Sequence, residues 1–326
     1  MDLDVAVLIV SYNSAAHLGD CLESVFAHSQ RVRLEVIVVD NASTDDSAEF
    51  VRSRFPSVRL ITPGRNLGFA AGVNLAARHA TADYLLLLNP DTVLLDHAID
   101  AIVEFARSSP GHGLYGARTF KPDGRVEPSS CWGLPTLWSL TMFATGLSSV
   151  ARQHPLFDPE SLGDWPRDTV REVGMISGCC LLIARSVWNK LGGFDERFFM
   201  YGEDADLSMR ARQSGYRPIL CPRACLIHEV GQSSTPAGKL LLLFRGKATL
   251  LHTHWRGLRR VAGLALLLAG VAVRALGTQF VRALRRQSDP GRWLVVWRRR
   301  REWIQGYGAR APALSLPTPG NAVAQG

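Results

Sequence analysis

The amino-acid sequence predicts an α/β protein whose mostly parallel central sheet has helices on both faces, followed by a basic helical segment. Three observations carry this prediction. Short apolar runs alternate with helix-like patterns over residues 1–110, which is typical of βαβ units and a parallel sheet. Polar side chains follow each apolar run, and positive charge is concentrated in residues 245–310.

The predicted strands are apolar runs that polar or turn residues end. They are Val5–Val10, Leu34–Val39, Val58–Ile61 and Tyr84–Leu88. The last of these carries four leucines, which is typical of a strand buried on both faces. Pro90 ends it because proline donates no hydrogen bond to a sheet. Asp91 is therefore expected at the carboxyl end of a core strand, where open α/β sheets bind their ligands.

Helices are predicted between these strands because apolar residues recur on one face. Ser14 is expected to cap the first helix, and Ser43 or Thr44 to open the second. The third is expected over Gly68–His79.

Beyond residue 110 the pattern becomes less regular. A turn is predicted at Lys121–Gly124 because Pro and Gly favour one there, and residues 128–168 show no period and are expected to be irregular. The later expected elements are strands at Val173–Ile176, Cys180–Ala184 and Tyr216–Leu220, and a helix at Asp204–Gln213.

Charge is distributed unevenly along the chain. Residues 245–310 hold 15 Lys and Arg and two Asp and Glu, whereas the rest of the chain holds 22 and 27. Basicity confined to the C-terminal part argues against a nucleic-acid-binding catalytic core. It favours a segment that meets an anionic membrane surface.

The amino terminus and the cysteines both indicate the cytoplasm. The first residues are acidic and the first apolar run is short, so no signal peptide is expected. The six cysteines form no CxxC pair and have no zinc-ligand spacing, so they are interpreted as reduced thiols. We therefore expect a cytoplasmic protein that associates peripherally with the inner face of the plasma membrane.

The segment Arg256–Arg286 is the expected membrane contact. Its longest uncharged apolar run would rise only about 20 Å as a helix, against roughly 30 Å of hydrocarbon. Seven arginines fall within about half of the helix circumference: Arg256, Arg259, Arg260, Arg274, Arg282, Arg285 and Arg286. The pattern predicts an interfacial helix with its basic face toward lipid head groups. A helix that packs on the protein and exposes a solvated basic face remains the alternative.

Polar residues after the four strands predict a ligand crevice at one edge of the sheet. They are Ser11, Tyr12 and Asn13, then Asp40 and Asn41, then Arg65 and Asn66, then Asn89 and Asp91. Gly64, Gly68 and Gly72 do not follow the first strand and lack the GxGxxG spacing. A dinucleotide-binding oxidoreductase is therefore disfavoured.

Several motifs occur together in a fixed order over residues 1–235. They are VSYN (10–13), VVDNASTD (38–45), GRNLGFAAGVN (64–74), NPD (89–91) and GFDERFFMYGEDADLSMRARQSGYR (193–217), followed by His228, Gly231 and Ser233. This set resembles the family 2 glycosyltransferases of Rossmann-like GT-A fold, and within them the bacterial rhamnosyltransferase branch.

The resemblance implies a division of the chain. Residues 1–110 would bind the nucleotide sugar, and residues 111–235 of the same domain would bind the acceptor and carry the catalytic base. Outside the resemblance, the charge and helix patterns predict that residues 236–310 form the basic amphipathic, membrane-associating segment. Residues 311–326 are rich in Pro, Gly and Ala and are expected to be disordered.

The resemblance also implies a divalent metal, Mg²⁺ or Mn²⁺, bound by Asp91. A diphosphate leaving group gains charge as the glycosidic bond breaks, and a hard cation offsets that charge. Asn89 stands where the family's Asp-x-Asp motif begins with a carboxylate, and it is placed with the nucleotide-sugar contacts. His228 either completes the metal site or contacts the diphosphate, with an ordinary core histidine as the alternative.

The donor-binding roles implied by the resemblance centre on Asp40, which would hydrogen-bond the nucleotide base; its alternative role is a helix cap. Arg65 would contact the base or diphosphate, and Asn74 would face the nucleotide. Ser11 and Tyr12 would line the base or ribose pocket. The neighbouring Asn13, Asn41 and Asn66 complete the predicted donor contacts.

The catalytic base implied by the resemblance is Asp204, at the start of a predicted helix, with Glu203 as its supporting neighbour. In an inverting transfer the base takes a proton from the acceptor hydroxyl. Asp206 is a second candidate. The alternative is that these acids only complement the helix dipole.

The implied reaction moves L-rhamnose from dTDP-L-rhamnose to a polyprenyl-diphosphate-linked or cell-surface glycan acceptor. A galactofuranosyltransferase or another hexosyltransferase that uses a UDP-sugar is the nearest alternative. Two other classes stay open: a nucleotidyltransferase and a catalytically silent sugar-nucleotide-binding protein. A nucleotidyltransferase is disfavoured because VSYNSAAHL, after the first strand, lacks a basic, glycine-rich phosphate loop.

Overall fold

A computed structural model describes residues 3–229, 235–285 and 291–308. The predictions for Gly231, Ser233, Arg286 and the tail 311–326 lie outside these ranges. The chain divides into two compact units. The sheet unit comprises the described residues of 1–132, 165–199 and 203–231. The helical unit comprises the described residues of 133–164, 200–202 and 232–326.

Eleven strands lie among the described residues. They are β1 Val5–Ser11, β2 Leu34–Asp40, β3 Arg59–Ile61, β4 Tyr84–Leu88, β5 Thr92–Leu95, β6 Leu114–Phe120, β7 Cys131–Trp132, β8 Arg171–Glu172, β9 Met175–Ile176, β10 Cys180–Ala184 and β11 Ile219–His228. All belong to the sheet unit.

Twelve α-helices lie among the described residues. In the sheet unit these are α1 Ala15–Ala27, α2 Ser47–Arg54, α3 Phe69–His79, α4 Ala98–Ser108, α7 Arg185–Leu191 and α8 Glu203–Gln213; in the helical unit they are α5 Leu137–Thr145, α6 Leu147–Val150, α9 Pro236–His254, α10 Gly257–Arg285, α11 Arg292–Arg298 and α12 Arg300–Trp303.

The main sheet has the order β3-β2-β1-β4-β10-β6-β11-β5, and β8 pairs with β11 outside this path. The α/β class is confirmed. Strands β3, β2, β1 and β4 are parallel, and β6 is parallel to β11. Strand β10 runs antiparallel to both β4 and β6, and β5 and β8 run antiparallel to β11. The complete sheet is therefore mixed rather than mostly parallel.

The core of the sheet unit forms on the apolar runs that the sequence identified. The four leucines of β4 are at most 1% exposed, and β4 lies between β1 and β10 in the sheet. Burial on both faces explains why the run does not alternate with polar residues. Strand β4 ends at Leu88, as predicted, and leaves Asn89 at its carboxyl end.

The prediction for the start of α1 is confirmed in position, whereas that for α2 was wrong. Ser14 is the N-cap residue of α1, but its side chain makes no capping hydrogen bond, because its hydroxyl donates to Tyr12 O. The Asp45 carboxylate, 30 residues away from Ala15, accepts a hydrogen bond from Ala15 N at 3.0 Å and so satisfies the first helical N–H. Helix α2 begins at Ser47 rather than at Ser43 or Thr44.

The prediction of irregular structure over 128–168 was wrong for β7, α5 and α6. Thr136 and Ser139 form reciprocal hydrogen bonds at the start of α5, and Gly146 ends that helix in the left-handed conformation. Such paired caps satisfy backbone groups that the first turn leaves free. The predicted turn at Lys121–Gly124 is present, with Gly124 N donating to Lys121 O at 2.9 Å.

The helical unit has its own core. Aromatic and aliphatic residues from α5, α9, α10, α11 and α12 pack together, including Leu140, Phe244, Leu267, Val271, Val296 and Trp303. The three residues Met200–Gly202 also belong to this unit. The hydroxyl of Tyr307 donates to Met200 O at 2.7 Å, and a Cβ added to Gly246 of α9 would lie only 2.0 Å from Tyr201 O. Glycine at 246 is therefore required by close backbone packing.

Helix α10 occupies the segment predicted as an interfacial helix, but Arg274 does not lie on an exposed basic face. It is 29 residues long, and among the described residues it alone has the length and composition needed to cross a membrane. Arg274, predicted on a lipid-facing basic surface, is half-buried: its guanidinium lies 3.9 Å from the Phe143 ring centroid and donates to Phe143 O at 2.6 Å. Contacts with the protein therefore determine the orientation of this helix, and the predicted basic face is wrong at Arg274.

Candidate active site

The carboxyl ends of β1, β2 and β4 bring the predicted site residues to one edge of the sheet. Ser11 lies beside Asp40 in the register of β1 and β2, and Ile9 lies beside Leu88 in the register of β1 and β4. Because the three strands are parallel and adjacent, the residues that follow them share this edge.

Asp40 and Ser11 present buried polar atoms at this edge. Asp40 is 4% exposed, and its Oδ2 accepts a hydrogen bond from Ser43 N at 3.1 Å. Its Oδ1 and the Ser11 hydroxyl have no hydrogen-bond partner among the described residues. A buried acceptor without a partner is costly unless a ligand or water satisfies it. The pair is suited to a ligand that supplies an N–H group, such as a pyrimidine base.

Three predicted donor contacts make hydrogen bonds to loop backbone at this edge of the sheet. Asn13 Oδ1 accepts from Thr44 N at 2.8 Å, Asn41 Nδ2 donates to Gly68 O at 3.0 Å, and Asn66 Oδ1 accepts from Gly68 N at 2.9 Å. Their side-chain amides hold backbone in place on both sides of the edge. Tyr12 is half-buried and Arg65 is exposed.

Asn74 makes contacts that the sequence did not indicate. Its Nδ2 donates to Phe194 O at 2.9 Å and to the Glu196 carboxylate at 3.1 Å, while its Oδ1 accepts from Phe194 N at 3.0 Å. Asn74 is buried. It joins α3 to the segment that leads toward α8, and its predicted contact with the nucleotide stays a prediction.

Asn89, Asp91 and His228 converge at the end of β4. His228 Nε2 lies 3.4 Å from Asp91 Oδ1 and 3.5 Å from Asn89 Nδ2. Strand β11 brings His228 here because it pairs with Thr92 of β5, and Glu229 N donates to Asp91 O at 2.9 Å. The pairing of β5 with β11 thus brings Asp91 and His228 together, although they are far apart in sequence.

The donor set at this point fits an open divalent-metal site. A carboxylate oxygen and an imidazole nitrogen are established metal ligands, and their 3.4 Å separation lets both face one ion. The described residues hold no group of three His, Cys, Asp or Glu side chains arranged for a metal. Mg²⁺ commonly uses one or two protein ligands and completes its shell with phosphate oxygens and water. The site therefore fits a metal that arrives with a diphosphate.

Asp204 is linked to this region by the turn Ser177–Cys179. Gly178 N donates to Asp204 Oδ2 at 3.3 Å, and Asn89 N donates to Cys179 O at 3.1 Å. Burial raises the pKa of the Cys179 thiol to about 12, and the Asp204 and Asp91 carboxylates contribute in the same direction. Both carboxylates therefore lie near this thiol, which stays protonated and is not a nucleophile.

The Asp204 carboxyl is suited to accept a proton. Desolvation by the surrounding protein raises the pKa of Asp204 above the ordinary value of 3.8. Hydrogen bonds from Ala205 N and Gly178 N lower this pKa, but desolvation is the larger effect. The residue nevertheless keeps partial surface exposure. A raised pKa brings a carboxylate closer to the range in which general bases are effective.

The neighbouring acids have different surroundings. Glu203 is the first residue of α8 and is 4% exposed. Asp206 is buried and pairs with Arg210 at 2.7 Å, and Arg210 also donates to Leu191 O and Gly193 O. These contacts assign Asp206 to the packing of α8, and they weaken its candidacy as the base.

The turn Ser177–Cys179 was not predicted. Its signal in the sequence is the short run of small residues SGC directly before the apolar strand β10. A Cβ at Gly178 would lie 3.0 Å from the Phe69 ring, so a larger residue would disturb the backbone that meets Asp204.

Comparison with known proteins identifies the family. The sequence profile of "Glycosyl transferase family 2" matches residues 6–157, and that of "Glycosyl transferase family group 2" matches residues 84–316, well over half of the chain. The chain belongs to glycosyltransferase family 2. This glycosyltransferase is 32% identical over 280 residues to an N-acetylglucosaminyl-diphospho-decaprenol L-rhamnosyltransferase of Mycobacterium tuberculosis, covering 76% of the chain and 85% of the relative. The prediction of a family 2 enzyme of the rhamnosyltransferase-like branch is confirmed.

Solved structures show the same fold. The glycosyltransferase matches the mannosyltransferase PcManGT from Pyrobaculum calidifontis, solved with GDP-Man and Mn²⁺, with a TM-score of 0.54, 18% identity, and coverage of 95% of this chain and 85% of that one. It matches S. aureus TarS, residues 1–349, with a TM-score of 0.51, 16% identity, and coverage of 86% and 73%. The predicted GT-A fold is confirmed. Family membership favours glycosyl transfer over the nucleotidyltransferase and silent-binder alternatives.

Proposed function

We propose that the protein transfers L-rhamnose from dTDP-L-rhamnose to a polyprenyl-diphosphate-linked or cell-surface glycan, with inversion at the anomeric carbon. The rhamnosyltransferase relative, whose printed name specifies a decaprenol-diphosphate-linked acceptor, supports both the sugar and the acceptor class. A galactofuranosyl or other hexosyl transfer from a UDP-sugar is the second candidate.

One observation carries the mechanism: a single backbone turn connects the strand end that bears Asp91 to the Asp204 carboxyl. Asn89 N bonds Cys179 O, and Gly178 N bonds Asp204 Oδ2. The two carboxylates have different surroundings, since Asp91 faces His228 and Asp204 accepts backbone N–H groups. Different surroundings suit two carboxylates to different tasks.

Asp91 and His228 would hold Mg²⁺ or Mn²⁺ together with the diphosphate of the donor. When bound, the cation offsets the negative charge that grows on the leaving diphosphate. The supporting observation is the 3.4 Å approach of the imidazole nitrogen to the carboxylate oxygen. Asn89, whose amide is 3.5 Å from the same nitrogen, leaves the site with one carboxylate fewer than an Asp-x-Asp motif would supply.

The donor nucleotide would bind at the edge formed by β1 and β2. The unpartnered Asp40 Oδ1 accepts the N–H of the base, and the Ser11 hydroxyl lies beside it in the strand register. Asn13, Asn41 and Asn66 maintain the loop shape. All of these residues fall within the proposed donor-binding part, residues 1–110.

The acceptor hydroxyl would be activated by Asp204, in the proposed catalytic part, residues 111–235. Asp204 takes the hydroxyl proton as the acceptor oxygen forms a bond to the anomeric carbon. The bond between that carbon and the diphosphate breaks on the opposite face, and the nucleoside diphosphate leaves with the bonding electrons. Buried Glu203 supports the position of its neighbour at the start of α8.

The proposed location is the cytoplasmic face of the plasma membrane, where a lipid-linked acceptor would be available. The excess of Lys and Arg in residues 245–310 supports attraction to an anionic surface.

A donor panel tests the proposed function. The purified full chain is incubated with dTDP-L-rhamnose or several UDP-sugars, a short-chain polyprenyl-diphosphate-linked sugar as acceptor, and either Mg²⁺, Mn²⁺ or a chelator. We expect product only with a metal and most rapidly with dTDP-L-rhamnose. Faster transfer from a UDP-hexose than from dTDP-L-rhamnose would show that this hexose, and not rhamnose, is the donor sugar. Undiminished transfer in the presence of the chelator would refute the role of the metal.

A further inference from the structure

Helix α10 exposes a continuous apolar stripe. Exposed fractions are 87% for Leu258, 64% for Leu276, 68% for Phe280 and 69% for Leu284. At about 100° per residue these four side chains, together with Val261 and Val273, fall within about 140° of the helix circumference. A stripe of this kind on a folded surface marks a binding face.

The stripe cannot turn inward, because protein contacts fix the opposite face of α10. Leu267, Val271 and Ala275 are at most 3% exposed. A Cβ at Gly270 would lie 2.3 Å from the Phe143 ring, and Arg274 donates to Ser149 Oγ at 2.7 Å. Protein contacts therefore hold the middle turns of α10, and the apolar stripe lies on the side away from these contacts.

The charges on helix α10 are of one sign. Helix α10 carries five arginines and no Asp or Glu. Arg256, Arg259 and Arg260 are exposed near its first turn, and the Arg259 guanidinium lies 4.3 Å from the Trp255 ring centroid. If a second copy of this protein bound to the stripe through its own α10, the arginines of the two helices would approach one another. Helix α10 has no Asp or Glu to form ion pairs with them. Anionic lipid head groups would instead complement these charges.

We propose that α10 lies flat on an anionic bilayer and inserts the stripe Leu258–Leu284 among the acyl chains. This proposal deepens the proposed membrane association and rests on it. The stripe extends about 39 Å along the helix axis, longer than the hydrocarbon thickness. Because the opposite face is covered by protein and Arg274 lies near the middle, the helix contacts lipid along one side only. Insertion of an apolar face, rather than contact by a basic one, then supplies the greater part of the affinity.

Vesicle co-sedimentation of the full chain tests the proposal. We expect binding to phosphatidylcholine vesicles that contain phosphatidylglycerol, and about 10-fold or more weaker binding for the double variant L276S/F280S. The matched control is V150S/L156S, which removes two apolar side chains with 86% and 61% exposure elsewhere in the helical unit and should bind as the unchanged protein does.

A second stripe variant, L258S/L284S, shows whether weaker binding by L276S/F280S could come from a local folding defect. Thermal unfolding followed by circular dichroism tests whether both variants are folded. Equal vesicle binding by the folded stripe variants and the unchanged protein would overturn the proposal. So would light scattering that shows a dimer in the unchanged protein and a monomer in L276S/F280S without lipid.

Transfer to a water-soluble acceptor analogue separates this proposal from the proposed function. The stripe variants should retain that transfer, because none of their substitutions lies in the candidate active site. Loss of vesicle binding in a variant that keeps normal transfer to the soluble acceptor supports membrane binding by the stripe. Absence of transfer in every protein, the unchanged one included, would refute the proposed function. The vesicle experiment would still show whether the stripe binds membranes.

Discussion

Replacing Asp204 with Asn gives the sharpest test of the candidate base. The two carboxylate oxygens accept from different donors, Oδ1 from Ala205 N at 2.8 Å and Oδ2 from Gly178 N at 3.3 Å. An amide can accept through only one atom, so the variant leaves one backbone N–H facing an NH₂ group. An unsatisfied buried donor costs about 1–3 kcal/mol, which the removal of a desolvated charge offsets in part.

The kinetic effect should exceed this structural one. Asn cannot take a proton from the acceptor, so transfer should fall by about 100-fold or more. Donor affinity should change little because Asp40, Ser11 and the Asp91 site are untouched. The assay combines donor titration by calorimetry with single-turnover transfer. Transfer within a few-fold of the unchanged protein, with normal donor affinity, would refute the assignment.

The pH dependence supplies an independent check on the same residue. Because the pKa of Asp204 is raised in the folded protein, transfer should increase with pH through that raised pKa. For stability the sign is opposite: the folded state binds the proton more tightly, so this residue's contribution decreases as pH rises from 3.8 through the folded pKa. D204N should lose that part of the pH dependence in unfolding experiments at successive pH values, and an unchanged profile would contradict the raised pKa.

Three further predictions concern the metal site, α3 and α9. D91N should raise the metal concentration needed for half-maximal transfer by about 10-fold or more, because the site has no other carboxylate in its donor set; an unchanged metal titration would exclude Asp91 as a ligand. N74A should lower the free energy of unfolding by about 2–4 kcal/mol by leaving both Phe194 backbone groups unpaired, and it should weaken donor binding if Asn74 also faces the nucleotide; unaltered stability would contradict the structural role, and unaltered donor affinity would refute the nucleotide contact. G246A should destabilise the fold by about 1–3 kcal/mol in urea unfolding, since its Cβ meets Tyr201 O; unaltered stability would show that the close packing relaxes freely.

Much of the sheet unit was predictable because its strands are locally encoded. Strands β4 and β10 began and ended where their apolar runs did, at Tyr84–Leu88 and Cys180–Ala184. Burial on both faces leaves a run without alternation, which sequence shows directly. The same reasoning placed Asp40 and Asp91 at strand ends, because a polar residue that follows a buried apolar run lies at the edge of the sheet.

Features that depend on distant partners were not predictable. Strand β5 was missed because Thr92–Leu95 is short and its partner, β11, lies about 130 residues later in the chain. The capping of α1 by Asp45 has the same origin. On α10 the sequence reveals where charges lie around the helix. It does not reveal which side the protein covers, and Arg274 turned out to lie against Phe143.

The path of the chain through Met200–Gly202 limits how this protein can be divided. These three residues precede Glu203 and Asp204 directly, yet they pack in the helical unit, where Tyr307 bonds Met200 O and Gly246 meets Tyr201. An expression clone shortened to residues 1–235 would remove both partners of that tripeptide. The C-terminal helices are therefore poor candidates for exchange with a foreign anchor, and full-length chains with point substitutions are the appropriate material for biochemistry.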